Sequence, residues 1–255
     1  MAGEQGAVWR LRALFHRGLR VAGLQIGRYP ARNSLEAHLR RVLAARGVNI
    51  VLDVGGHHGE FAQQLRAIGY GGRIASFEPV RATHEVLARN ARADRDWHVY
   101  NLALGAEDGT QEINLYGGAV FNSFRSTTEL VSTRFGRAAE RRGTERVQIR
   151  RLDHVFAGCV AGIARPRAFL KLDTQGWDLE VLEGARGVLG SIVAMQSELA
   201  VKQCYEGMPR YVRALEHCEA LGFELAGMFP VAHTSDGLRL IEVDCVFVAS
   251  TGSGS

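Results

Sequence analysis

The chain has 255 residues, 46% of them apolar and 23% charged, with a net charge of +4. That is enough to bury the core of one α/β domain and too little for two large ones. Its four cysteines (Cys159, Cys204, Cys218, Cys245) have no Cys-x-x-Cys spacing, no run of 18 apolar residues occurs, and the N-terminus lacks a continuous apolar signal core; a disulfide framework, a cysteine zinc site and a membrane-spanning helix are therefore not expected, and the expected compartment is cytoplasmic.

Residues 8–22 set Val8, Leu11, Phe15, Leu19 and Ala22 on one helical face and Arg10, Arg17 and Arg20 roughly opposite. This basic amphipathic helix belongs to an N-terminal extension, residues 1–44. Three partners for its apolar stripe stay open: its own domain, a second copy in a homo-oligomer, or peripheral contact with an anionic membrane or lipid-linked acceptor. Nucleic acid is not an expected partner, because no basic surface interleaved with aromatics and no recognised module is present.

The main domain, 45–250, reads as alternating strands and helices. Strands are expected at 50–54 and 73–77, each followed by a helix, the second at 80–93, and a third strand at 98–104. The alternation then breaks. Residues 111–116 and 146–152 read as extra strands around a polar excursion, 117–144, carrying Arg134, Arg137, Arg141 and Arg142; at this length it is a lid or a solvated segment. Strands at 168–173 and 192–199 follow, then a helix at 209–221. A hairpin closes the domain, 223–231 and 238–249, turning at Ser235-Asp236-Gly237, and 251–255 is a flexible tail. The expected fold class is α/β, a mostly parallel sheet with a C-terminal antiparallel pair.

The most informative stretch is Val51-Leu52-Asp53-Val54-Gly55-Gly56-His57-His58-Gly59-Glu60, an apolar strand running through a glycine-rich turn into an amphipathic helix. Such turns bring backbone N–H groups up to an anionic or zwitterionic ligand, and positive φ or close approach excludes a Cβ there. Twenty-five residues after Asp53, Glu78 ends the next strand, where a carboxylate can accept both hydroxyls of a ribose. Together they point to an adenosyl site. The dinucleotide pattern Gly-x-Gly-x-x-Gly fails in both registers, because His57 or His58 falls on a required glycine.

What remains, Asp-x-Gly-x-x-x-Gly followed by Phe77-Glu78-Pro79, resembles the first two motifs of S-adenosylmethionine-dependent methyltransferases. The segment Phe169-Leu170-Lys171-Leu172-Asp173-Thr174-Gln175-Gly176-Trp177-Asp178, continuing through Val181-Leu182-Glu183-Gly184-Ala185, is similar to the signature block of the FkbM family. Ala103-Leu104-Gly105 with Asp108-Gly109, Arg151-Leu152-Asp153 and Gln196-Ser197-Glu198-Leu199 agree in order and type, so the resemblance spans about residues 45–248. It implies a Rossmann-like class I methyltransferase fold, S-adenosyl-L-methionine as cofactor, and O-methylation of a small-molecule or glycolipid acceptor: a sugar, glycolipid or polyketide-type hydroxyl. It also implies contacts: Glu78 and Pro79 at the ribose; Asp53, Gly55, Gly56, His57 and Gly59 at the methionine end; Asn101, Leu102 and Ala103 at the adenine; Ser123 beside the methyl. Two departures stand out, Gly56-His57 in the cofactor turn and Gln175 where the family more often has Glu. The first leaves an alternative open, a chain that binds the cofactor without turnover and serves as an assembly partner.

Methyl transfer requires alignment, exclusion of water and removal of a proton. A sugar hydroxyl is a poor nucleophile, so a base or a metal is expected. Asp173 and Glu198 fall at the carboxyl ends of two strands, where ligands of open α/β sheets collect. They could hold Mg²⁺ through oxygen, one could be the base, or Glu198 could cap a helix or pair with an arginine. His57 is a third candidate for proton transfer, only one of His57 and His58 being expected to face the site. His233 is weaker, no histidine or cysteine pair has zinc spacing, and Trp177 either lines the acceptor pocket or is buried at a helix start.

Overall fold

The computed structural model describes residues 33–250. The basic amphipathic stretch at 8–22 and the tail at 251–255 lie outside the described residues. In chain order the elements are α1 (Leu35–Ala45), β1 (Ile50–Val54), α2 (Glu60–Ala67), β2 (Arg73–Phe77), α3 (Arg81–Ala91), β3 (Trp97–Tyr100), β4 (Ala103–Leu104) and β5 (Gly109–Tyr116). There follow α4 (Glu129–Phe135), β6 (Arg141–Arg150), α5 (Leu152–Cys159), β7 (Ala168–Leu172), α6 (Asp178–Gly184), β8 (Ile192–Ala200), α7 (Tyr211–Ala220), β9 (Phe223–His233) and β10 (Leu240–Ala249).

Seven strands make one sheet in the order β3-β2-β1-β7-β8-β10-β9. The pairings from β3 to β8 are parallel, and β10 runs antiparallel between β8 and β9. This is the α/β, Rossmann-like methyltransferase fold that the resemblance implies. Every residue of β1 and of β7 is buried, as parallel strands covered on both faces require. Side chains alternate between the faces with a period of two. Ile50, Leu52 and Val54 meet Leu152, Phe156, Val181 and Leu182 of α5 and α6 on one face. Val51 and Phe169 meet Leu39, Leu43, Phe61 and Leu65 of α1 and α2 on the other. Each fully buried Leu or Phe contributes roughly 1.5–3 kcal/mol. Because α1 supplies Leu39, Val42 and Leu43 to this core, and Ser34 caps it by accepting from Ala37 N, the packed unit begins ahead of residue 45.

Other boundaries also move. The strand expected at 98–104 breaks at Asn101-Leu102, and its second half, β4, joins β6 and β5 in a three-stranded sheet over Val80, Ile113 and Val147. The pairing of β5 with β6 starts at Arg141, five residues earlier than the apolar pattern suggests, because the exposed alternation at that end carries no burial signal. Leu152 opens α5 instead of closing a strand; at eight residues that helix is too short to announce itself by periodicity. The excursion 117–144 holds α4 and two short 3₁₀ turns, at Ala119–Phe121 and Gly136–Ala139. Its Val131 packs with Tyr205, Met208 and Ile241, while Arg134, Arg137, Arg141 and Arg142 face solvent. The cysteines are free and buried, and among the described residues no helix is long and apolar enough to cross a membrane.

On the α1–α3 side, each central strand changes character toward the same end of the sheet. Val51 gives way to Asp53 on β1, Phe169 to Lys171 on β7, Ala194 to Gln196 and Glu198 on β8, and Val246 to Asp244 on β10, all at alternate positions. That end opens into a cavity.

Candidate functional site

The cavity measures about 670 Å³, within the range of small-molecule sites. Its edge is the turn after β1. Gly55 has φ 80° and a Cβ there would lie 2.0 Å from Asp173 O, so only glycine fits. Gly55 N and Gly56 N both donate to Phe77 O at 3.0 Å, locking the turn to the end of β2. Gly59, φ 94°, lies off the cavity; a Cβ at that position would strike the Trp97 ring at 2.5 Å, so its glycine serves packing of α2. His57 is in the left-handed region, φ 44°, uncommon for a residue with a Cβ.

Glu78 stands over the turn and lines the cavity, 7% exposed. Its Oε2 accepts from His57 N at 3.1 Å and its Oε1 from Val80 N at 2.9 Å. Burial pushes its carboxyl up to about 7, against the pull of those two backbone donors. Pro79, Leu102 and Ala103 continue the wall. Asn101 does not. It donates to Glu78 O and Pro79 O at 3.0 and 2.9 Å, fixing the bend that delivers Leu102.

Asp53 lies beneath the turn, fully buried and off the cavity wall. Ser76 Oγ donates to its Oδ2 at 2.8 Å, Trp97 Nε1 donates to Ser76 Oγ at 2.9 Å, and its Oδ1 has no hydrogen-bond partner. Burial raises its pKa, opposed by Lys171, whose Nζ is 3.9 Å away. Asp53 therefore does not line the cavity itself but supports the turn from beneath. Ser123 is likewise spent elsewhere: 1% exposed, it donates to Gln175 O at 2.7 Å and accepts from Arg125 N. Its neighbours Asn122 and Phe124 line the cavity instead.

Asp173 and Glu198 do share the cavity. Between them and Asp53 sits Lys171, to which the motif reading gave no role. Lys171 Nζ donates to Asp173 Oδ2 at 2.8 Å, and Gln175 Nε2 donates to Asp173 Oδ1 at 2.7 Å. Burial would drive Lys171 toward neutrality, but the charges of Asp173 and Asp53 override it and raise its pKa. Burial likewise favours protonated Asp173; Lys171 and Gln175 outweigh it and hold the carboxylate below its ordinary value. Glu198 is the opposite case. It accepts no hydrogen bond among the described residues, and burial, then the charges of Asp173, Glu242 and Asp244, push it well above the carboxylate range. The amide at Gln175 has a reason: it donates to Asp173 while accepting from Tyr205 Oη at 2.7 Å, whereas a glutamate would set two carboxylates together.

These contacts do not fit Mg²⁺ on Asp173 and Glu198. Both Asp173 oxygens already accept N–H groups, and the Lys171 ammonium supplies the positive charge a cation would bring. The described residues whose ligand atoms do converge, within 4.8 Å, are His57, His58 and Glu60. The left-handed turn at His57 sets the two ring centroids 3.8 Å apart, tilted by 32°, and brings Glu60 to 3.1 Å from His57 Nδ1, which simple sequence spacing does not suggest. His57 lines the cavity with its buried Nε2 unpartnered, whereas neither His58 nor His233, exposed on β9, is among the lining residues.

The excursion closes the far wall. Arg125 Nε donates to Gly176 O at 2.7 Å, its Nη2 to Glu180 Oε1 at 2.6 Å, and its guanidinium lies 5.6 Å from the Trp177 ring. Phe124 packs on Trp177, and both line the cavity. Lys171, Gln196 and Asp244 are polar wall residues to which the motif reading gave no role. The signal available was polar side chains at alternate positions inside otherwise apolar central strands.

The family model described as the FkbM methyltransferase domain matches residues 53–225. No curated protein matches the chain. Among solved structures, the chain is similar to an rRNA methylase from Streptococcus thermophilus, at 12% identity over 89% of this chain and 99% of that one, TM-score 0.46. It is also similar to precorrin-6y C5,15-methyltransferase from Geobacter metallireducens, at 11% identity, 85% and 88% coverage, TM-score 0.45. A third is Aeropyrum pernix fibrillarin with natively bound S-adenosyl-L-methionine, at 14% identity, 82% and 73% coverage, TM-score 0.44.

Proposed function

The chain belongs to the FkbM methyltransferase family, and from that membership and the cavity we propose that it transfers a methyl group from S-adenosylmethionine to a hydroxyl oxygen of a sugar, glycolipid or polyketide-type acceptor. The observation that carries the cofactor reading is the glycine turn facing a buried carboxylate, Glu78, on one wall of a cavity of suitable size. Glu78 would take the ribose hydroxyls, Pro79, Leu102 and Ala103 the adenine side, and Gly55, Gly56 and His57 the methionine end, where the buried unpartnered His57 Nε2 awaits a partner. When bound, the cofactor supplies an activated methyl group. Asp53 acts from below, sharing the Lys171 ammonium with Asp173.

The chain's own contribution is alignment and proton removal. Asp173, kept ionised and saturated with donors, is a fixed charge that positions the acceptor. Glu198, free of hydrogen bonds and raised toward neutrality by burial, suits the base that accepts the hydroxyl proton as the oxygen bonds to methyl and the carbon–sulfur bond breaks. Phe124 and Trp177 exclude water. The basic amphipathic helix expected at 8–22 is assigned to association, with a second copy or with a lipid-bearing acceptor.

The test is a screen of sugar, glycolipid and macrolide acceptors for a gain of one methyl by mass spectrometry, with and without chelator. The expected result is a chelator-resistant product whose rate falls in Glu198→Gln and Asp173→Asn more than cofactor affinity does. An Asp173→Asn and Glu198→Gln double variant working at the wild-type rate removes both residues from the mechanism. Cofactor binding without transfer to any acceptor points to a non-catalytic assembly partner.

A further inference from the structure

Gln196 is 3% exposed and lines the cavity. Its amide orientation is fixed, because Nε2 donates to Asp244 Oδ1 at 2.8 Å, and the reverse orientation would set oxygen against carboxylate. Its Oε1 is therefore the free end, and it is buried with no partner. A buried acceptor left unpaired is costly, and in a cavity wall it marks the place of a ligand's donor. Two further acceptors adjoin it. Asp244 has a second oxygen, and Glu198 stands directly opposite Asp244 in the β8–β10 register.

The charge of this corner selects the donor. Lys171, beside Gln196 in the β7–β8 register, is committed to Asp173 and Asp53. Glu198, Asp244 and Glu242 lie together at this corner, no cation is hydrogen-bonded to them among the described residues, and burial pushes Glu198 and Asp244 upward against the weaker pull of Lys171. Phosphate or carboxylate on the acceptor would be repelled. A neutral hydroxyl would satisfy Gln196 but would not favour the ionised form of either carboxyl. An ammonium group offers three N–H donors, no acceptor and one positive charge.

Resting on the methyltransferase reading above, we propose that Gln196 and Asp244 bind the ammonium group of the acceptor while Glu198 faces the neighbouring hydroxyl, so that the substrate class is a vicinal amino alcohol of the amino-sugar type. Directly opposed residues on adjacent antiparallel strands have Cβ atoms about 4.5–5.5 Å apart, a spacing suited to groups on neighbouring carbons. The cofactor's own ammonium belongs at the β1 turn. Asp244 lies three strands away, roughly 14 Å at about 4.8 Å per strand.

The experiment titrates the full chain with glucosamine, galactosamine and mannosamine, each against its N-acetyl form, with and without saturating S-adenosylhomocysteine. S-adenosylhomocysteine affinity is measured separately by calorimetry. At least one amine should bind tenfold or more tightly than its N-acetyl partner. Asp244→Asn and Gln196→Leu should each erase that preference and leave S-adenosylhomocysteine affinity unchanged. The inference is overturned if no amine is preferred, if the preference survives both substitutions, or if they weaken S-adenosylhomocysteine as much as the amine, which would give the corner to the cofactor. The wild-type comparison decides the matter even if a variant fails to fold. An amine preference without any S-adenosylhomocysteine binding would sink the methyltransferase reading and leave the corner standing.

Discussion

Replacing Lys171 by Met removes the one ammonium between two carboxylates. Its side chain is 9% exposed, 2.8 Å from Asp173 Oδ2 and 3.9 Å from the fully buried Asp53. Methionine keeps most of the volume, so the loss is electrostatic and not a cavity. Breaking a buried pair by deleting one partner costs roughly 3–5 kcal/mol; because the Asp173 side chain is 34% exposed, about the lower figure applies, and at this domain size each kcal/mol lowers Tm by about 2–4 °C, giving a fall of roughly 6–12 °C. The sign with pH is fixed. Asp173 is held low in the folded wild type, so its contribution is present above the ordinary carboxylate range and lost as pH falls through the folded value. Without Lys171 burial dominates at both carboxylates, which then protonate more readily. The deficit should be full at about pH 8 and shrink by about half toward pH 5. Asp53→Asn added to Lys171→Met should restore part of the stability, because the two residues are coupled. Scanning calorimetry at the two pH values is the assay. A Tm loss under about 3 °C, or one equal at both pH values, would refute the reasoning.

Other outcomes are equally specific. Gly55→Ala, with its Cβ 2.0 Å from Asp173 O and φ at 80°, should abolish soluble folded protein or cofactor binding, as read by melting and titration; normal behaviour in both would remove the turn from the account. Glu78, with a folded value of about 7, contributes stability that is full below the ordinary glutamate value and lost as pH rises through about 7. In Glu78→Gln the Tm of the ligand-free chain should therefore decline less over that window, and in wild type cofactor affinity should rise over it as the carboxylate ionises. Deleting residues 1–24 should lower the oligomeric mass by sedimentation or reduce vesicle flotation; no change in either assigns the segment to its own domain.

The fold was legible because its central strands are short apolar runs bounded by Gly and Pro, and the motif at 51–60 ties strand, turn and helix together. The expected third strand failed at Asn101, whose side chain bonds the Glu78-Pro79 backbone and turns the chain away. That contact is tertiary, so no local pattern carries it. The same holds in the site. Glu78, Asp173 and Glu198, singled out because they end strands, line the cavity, whereas Asp53 and Ser123, assigned by position in a motif, do not, and their burial under Ser76 and Gln175 depends on neighbours far along the chain. Lys171, Gln196 and Asp244 interrupt apolar strands at alternate positions, a pattern the sequence displays but a motif does not weigh.

The central claim is an adenosyl cofactor at the β1 turn, and calorimetric titration of wild type and Glu78→Ala with S-adenosylmethionine and NAD tests it most directly. Hydrogen bonds to a charged acceptor contribute roughly 1.5–3 kcal/mol, so the substitution should weaken S-adenosylmethionine by at least about tenfold while wild type shows no preference for NAD. Unchanged affinity in Glu78→Ala, or tighter binding of NAD than of S-adenosylmethionine, would contradict it.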